Sequence, residues 1–145
     1  MTMSSQNAVP PVIERWLQII ESGLNGERDD SLVDLLAEDA VFRSPAVFTP
    51  QRGRDLTAAY LRAAEHMFAG TDFHYVEKWF GENSAVLHFA AMVKDPSGKD
   101  LSVEGIDMIH WNDDGKITEF TVMIRPFKAL QGVMGAMAAL LAPPS

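Results

Sequence analysis

The chain has no cysteine in its 145 residues, which excludes a disulfide framework, a zinc–thiolate site and a thiol nucleophile. It is poor in positive charge. Twelve Lys and Arg stand against 20 Asp and Glu, for a net charge of −8, which argues against nucleic acid or an anionic membrane surface as the main partner. Long hydrophobic runs are missing too, and the longest, Val133 to Ala142, is too short to span a bilayer. The four histidines show no HxH or HxxxH spacing, so no metal site is expected, and no motif implies another cofactor. Met1 to Ala8 has neither a basic stretch nor an apolar core, so no secretory signal is read there and a soluble, cytoplasmic protein is expected.

What is present is an ordinary globular balance, 47% hydrophobic and 22% charged, enough for one domain with a proper core. Residues 1–9 read as a disordered tail and residues 10–142 as a single domain. Pro10-Pro11 opens a first helix, in which Val12, Ile13, Trp16, Leu17, Ile19, Ile20 and Leu24 recur at helical spacing until Asn25-Gly26. Asp29-Asp30-Ser31 begins a second, short helix through Leu36, followed by a short strand, Val41 to Ser44. Asp55 is the expected cap of a third helix that ends near Phe68. Four strands follow, roughly 72–80, 85–94, 100–111 and 116–125, separated by Gly81-Glu82-Asn83-Ser84, Asp95-Pro96-Ser97-Gly98 and Asp113-Asp114-Gly115. A last helix starts after Pro126. The order α-α-β-α-β-β-β-β-α predicts an α+β fold, with a curved antiparallel sheet wrapped around the N-terminal helices as a cone.

The strand 100–111 carries an anomaly. Leu101, Val103, Gly105, Ile109 and Trp111 share one apolar face with a carboxylate, Asp107. Burying an isolated ionised carboxylate is too costly, so Asp107 must be partnered, protonated or lining a cavity. In an apolar pocket its pKa would rise, suiting it to general acid–base work.

The run from Gly105 through Asp107, Trp111 and Asp113-Asp114-Gly115 to Phe120 resembles the central hairpin of the nuclear transport factor 2-like superfamily, which includes ketosteroid isomerases and SnoaL-like polyketide cyclases. Leu35-Leu36-Ala37-Glu38-Asp39-Ala40-Val41-Phe42 with Ser44-Pro45, and Arg52-Gly53-Arg54-Asp55, match as well. The resemblance covers roughly residues 10 to 127 and implies the cone fold, whereas function varies widely on that fold. It places Asp107 where ketosteroid isomerases hold a protonated Asp that donates to the substrate oxyanion and where SnoaL-like cyclases use an Asp as base. It also implies an isomerase base immediately before a Pro, where this chain has Ser44-Pro45, and a Tyr on the first helix, whose nearest match is Trp16. Standard ketosteroid isomerisation is therefore not expected.

These readings make Asp107 the candidate catalytic group, with Trp16, Ser44, Tyr60, His74, Leu87, Phe89, Trp111, Phe120 and Val122 as candidate ligand contacts. The ligand class expected is a small apolar or aromatic molecule. The strand 72–80 leaves two faces open, with His74, Val76 and Phe80 competing against Phe73, Tyr75 and Trp79. His66 lies near a helix C-terminus, where a cation is favoured anyway, and His88 and His110 alternate away from the cavity. Val86, Ala90, Met92, Ile106, Met108 and Met123 form an apolar outer face that predicts a homodimer. The last helix reads either as a Met-rich lid or as part of the dimer contact. A non-catalytic ligand-binding or interaction module is the other reading open at this stage.

Overall fold

In the computed structural model, residues 8–95 and 97–141 are described; the expected tail lies outside them except for Ala8 and Val9. Helix α1 (Pro11–Leu24) begins with proline at its first position and buries Val12, Ile13, Trp16, Ile19 and Ile20, the single stripe that its three- and four-residue spacing dictates. Gly26, at φ 81°, ends it. Helix α2 (Ser31–Leu35) is one short turn, begun by Asp29, whose carboxylate accepts from the Ser31 N–H at 3.0 Å.

Strand β1 (Leu36–Arg43) starts five residues earlier than its sequence suggests. Leu36 pairs with Ile117 of the last strand, and Val41 to Arg43 pair with Glu119 to Thr121 beyond an irregularity. Leu36, Ala37 and Ala40 bury their side chains there, and this long-range packing overrides the local helical tendency. A two-residue strand, β2 (Gln51–Arg52), folds back on β1. Helix α3 (Arg54–Phe68) is capped by Gly53 at φ 110°, not by Asp55, which lies in the first turn. Two hydrogen bonds to the Ala40 carbonyl, from the Gly53 N–H at 2.8 Å and the Thr57 hydroxyl at 3.3 Å, seat α3 against β1.

Strands β3 (His74–Phe80), β4 (Ser84–Lys94), β5 (Asp100–Trp111) and β6 (Ile117–Arg125) form an antiparallel meander. The sheet order is β2-β1-β6-β5-β4-β3, and β1 runs parallel to β6. The sheet is therefore mixed rather than wholly antiparallel. Turn chemistry reports only the hairpins between consecutive strands and carries no trace of this closure between distant segments. The fold is α+β, with α1 and α3 packed on the inner face of the curved sheet. Helix α4 (Phe127–Leu141) packs against α3 and β4–β6, burying Ala129 and Val133. No helix among the described residues is long and apolar enough to cross a membrane.

Gly105 makes room for the inner face. It pairs with Phe89 and Ile124, and a Cβ there would stand 2.3 Å from the Met123 carbonyl oxygen and 2.6 Å from the Phe89 ring. The backbone oxygen has no rotamer into which to retreat. Gly105→Ala is expected to destabilise the fold by about 2 kcal/mol or more through overpacking, read as a lowered midpoint in urea with an unchanged slope.

Candidate active site

The inner face of the sheet and the facing sides of α1 and α3 enclose a cavity of about 270 Å³, closed on one side by α4. Its wall is almost wholly apolar. Trp16 and Ile20 of α1, Leu61, Ala64 and Phe68 of α3, and Phe89, Phe120 and Val122 of the sheet supply most of it. Trp16 stands edge-on to Phe120 with centroids 5.0 Å apart. Tyr60 stacks on Phe42 at 5.1 Å.

Asp107 is set into this wall and is 5% exposed. Strand alternation puts it inside, level with Leu87 on β4 and Val122 on β6. Its Oδ2 accepts a hydrogen bond of 2.6 Å from the Tyr75 hydroxyl, whose oxygen accepts one of 3.0 Å from the Trp16 indole N–H. The direction of this chain is dictated by its first member, because an indole can only donate. The single Tyr75 proton therefore points at Asp107 Oδ2. When Asp107 is protonated, its proton must sit on Oδ1, which has no protein partner among the described residues. The wall around it is apolar, and burial pushes the Asp107 pKa up to about 7, against the opposing pull of the Tyr75 hydrogen bond. Burial and the neighbouring carboxylate together hold the Tyr75 pKa well above its usual value, so this phenol remains a neutral donor.

Of the residues singled out by sequence, the cavity brings together Asp107, Trp16, Ser44, Tyr60, Phe89, Phe120 and Val122. Three others do not reach it. His74 is exposed on the outer face, its Nδ1 2.8 Å from the Asp72 carbonyl oxygen. Leu87 is fully buried beside Asp107 but below the cavity floor, and Trp111 packs on the core at the far end of β5. The Ser44 hydroxyl oxygen accepts from the Ala46 and Val47 N–H groups, at 3.2 and 3.1 Å, and so shapes the loop at the cavity edge.

Tyr75 is the residue that sequence reasoning left undecided. A bulge after Tyr75 shifts the β3 register, so that Tyr75 pairs with Phe89 but Lys78 pairs with Leu87. Phe73 and Tyr75 thus face inward before the bulge and Phe80 after it. Neither alternating set could be right along the whole strand. A second buried carboxyl, Glu65, was also missed. It is 6% exposed, with Oε2 unpartnered, and burial raises its pKa to about 7. It lies against Gly23, where any Cβ would come within 2.5 Å of the carboxyl group.

The SnoaL-like domain profile matches residues 13–120. This α+β cone with a carboxyl in its apolar wall belongs to the SnoaL-like family, within the nuclear transport factor 2-like fold. Among solved structures, a steroid delta-isomerase from Pseudomonas aeruginosa is 34% identical, with 90% of this chain and 89% of that chain covered at a TM-score of 0.77. An uncharacterised protein with a cystatin-like fold from Silicibacter pomeroyi is 29% identical, with 92% and 86% covered at 0.76. A nuclear transport factor 2-like protein of unknown function from Mesorhizobium loti, 18% identical with 87% and 100% covered at 0.66, shares the fold. No protein with a curated description matches the chain significantly.

The raised pKa of Asp107 has a stability consequence of definite sign. The folded state holds its proton up to about pH 7, while the unfolded chain releases it near the ordinary value of about 3.9. Folding is therefore progressively penalised as pH rises between those limits, and the penalty is constant above about 7. Asp107→Asn should raise Tm at pH 8 and leave it nearly unchanged at pH 4, measured by thermal melts at both values. Tyr75→Phe removes the hydroxyl that favours the carboxylate, so the Asp107 pKa should climb by about one unit, read by carboxyl-carbon NMR titration.

Proposed function

We propose that this chain is a small-molecule enzyme that moves a proton with Asp107 on an apolar or aromatic substrate, most simply as an isomerase. The carrying observation is the unpartnered Oδ1 of Asp107 in an apolar cavity, with the other oxygen held by Tyr75. At neutral pH a group with a pKa of about 7 is present in both forms. The carboxylate can take a proton from a carbon next to a substrate carbonyl, and the resulting acid can return it to another carbon. The electron pair moves into the enolate and back, so the cycle needs no second reactant. Tyr60, whose hydroxyl has no partner among the described residues, is the candidate donor to the enolate oxygen.

Support for an isomerase comes from the 34% identity to the protein described as a steroid delta-isomerase. The chemistry is not the standard ketosteroid route implied by the superfamily, because Ser44 and Trp16 stand in place of the base and the tyrosine. One carboxylate has to do the work of base and acid in turn. That economy also supports a second reading, a non-catalytic ligand carrier. Among the described residues Asp107 is the only ionisable group on the cavity wall besides the phenols Tyr60 and Tyr75, and no Lys, Arg or His joins it.

The outer face of the sheet exposes Val76, Trp79, Met92 and Met123, each about half accessible. We assign this face to a second copy of the chain. Met123→Asp should yield a monomer by sedimentation at concentrations where the wild type is a dimer.

The test of activity is turnover of β,γ-unsaturated cyclic ketones. The expected kcat/KM rises about tenfold per pH unit below pH 7 and levels off above it, as a base of that pKa requires. Asp107→Asn should lower kcat by about 10²–10⁴ while the ligand still binds. Equal turnover by the two proteins would remove Asp107 from the mechanism. Tight binding of the ketone without turnover by the wild type would establish the carrier instead.

A further inference from the structure

Asp107 has no partner of opposite charge. Its Oδ2 is occupied by the Tyr75 hydroxyl, and the Trp16 indole N–H on the Tyr75 oxygen fixes that arrangement. Oδ1 is left facing the cavity, whose wall carries no Lys, Arg or His among the described residues. Of the elements that face Asp107, β3 brings the phenol Tyr75 and α3 the phenol Tyr60. The cavity-lining residues of α1, β4, β6 and α4 bring no titratable group. Behind the wall, α3 adds Glu65, another carboxyl group. A buried carboxylate is ordinarily paired with a cation, and here the chain supplies none.

Aromatic rings flank Asp107 on both sides. Strand pairing sets Phe120 beside Ile109 and Phe89 beside Gly105, the inward residues before and after Asp107 in the alternation of β5. Phe120 joins Trp16 and Phe42, and Phe42 joins Tyr60, at centroid distances of 5.0 to 6.3 Å. Phe89 joins Phe68 and Phe73 in a second cluster, at 4.8 to 5.7 Å. Both clusters line the cavity. Rings around a carboxylate suit an organic cation, because a ring face attracts positive charge and the rest of the ring buries hydrocarbon.

We propose that this cavity also binds lipophilic tertiary amines in their protonated form, the single N–H donating to Asp107 Oδ1 and the hydrocarbon groups packing among the rings. The donor count selects the class. A tertiary ammonium brings one N–H to one free carboxylate oxygen, in a charge-assisted bond, and strands no donor in an apolar wall. A primary ammonium brings three donors, and the wall around Oδ1 strands the others. An anionic ligand meets repulsion from Asp107, and a neutral one leaves the carboxylate without its cation. The inference rests on reading the cavity as a ligand site, as above, but on no turnover. Its pH dependence has a definite sign. The amine takes the ionised form of Asp107, which burial holds back until about pH 7, so affinity should rise about tenfold per pH unit below 7 and level off above it.

The experiment is calorimetric titration of the full chain, between pH 5 and pH 8, with N,N-dimethyl-1-naphthylmethylamine, its trimethylammonium analogue and the uncharged 1-(methoxymethyl)naphthalene. At pH 8 the amine should bind at least tenfold more tightly than the ether. Its affinity should fall about a hundredfold from pH 8 to pH 5, and that of the ether should not fall. The trimethylammonium compound keeps the charge but has no N–H, and should bind at least fivefold more weakly than the amine. Asp107→Asn should lower amine affinity at pH 8 at least tenfold and abolish its pH dependence. Tyr75→Phe keeps the carboxyl group and should move the levelling-off up by about one pH unit. Equal affinity for amine and ether at pH 8, unchanged amine affinity in Asp107→Asn, or no amine binding by the wild type would each overturn the proposal. Equal binding of the amine and its trimethylammonium analogue would overturn the bond to Oδ1. Because only binding is read, a failure here leaves the proton-transfer role of Asp107 to its own test, and wild-type turnover by Asp107→Asn would leave the amine site standing.

Discussion

The hydrogen bond from Tyr75 to Asp107, driven from behind by the Trp16 indole, is the constraint around which the inner face is organised. It joins α1, β3 and β5, three elements far apart in sequence. A carboxyl group in an apolar wall is costly when ionised, and one strong donor recovers only part of that cost. What remains is a pKa near neutrality and a proton confined to Oδ1. Both properties are useful in a proton-transfer group, and both follow from the same burial. The second buried carboxyl, Glu65, lies behind this array between α1 and α3 and adds to the charge felt by Tyr75. The interior therefore holds two groups that stabilise the fold less well than apolar residues of similar size would.

The strand that carries Asp107 was legible from sequence because period-two alternation is local. Leu101, Val103, Gly105 and Ile109 defined one face, and Asp107 broke its pattern. The hairpins on either side were legible for the same reason, since Asp95-Pro96-Ser97-Gly98 and Asp113-Asp114-Gly115 show their chemistry in a few consecutive residues. Trp16, Tyr60, Phe89, Phe120 and Val122 were placed by helical or strand phase together with the family resemblance. His74 was misplaced, and Tyr75 was left open, because the bulge in β3 changes phase midway and leaves no mark in composition. Leu87 followed the correct phase but lies beneath the cavity floor, which depends on how deeply neighbouring side chains fill the cone. Trp111 also keeps the inward phase, yet it sits beyond the end of the cavity.

By itself the sequence determined the α+β class, the three long helices, the antiparallel meander and the inward position of Asp107. Each of these rests on short-range periodicity, turn chemistry or a cap within a few residues. The tertiary structure alone decided the parallel closure of β1 on β6, the start of β1 at Leu36, the bulge that turns Tyr75 inward, and the meeting of Trp16, Tyr75 and Asp107. Those features depend on which distant side chains come into contact and on how much water their contact removes, and neither quantity is encoded in any local window of the chain.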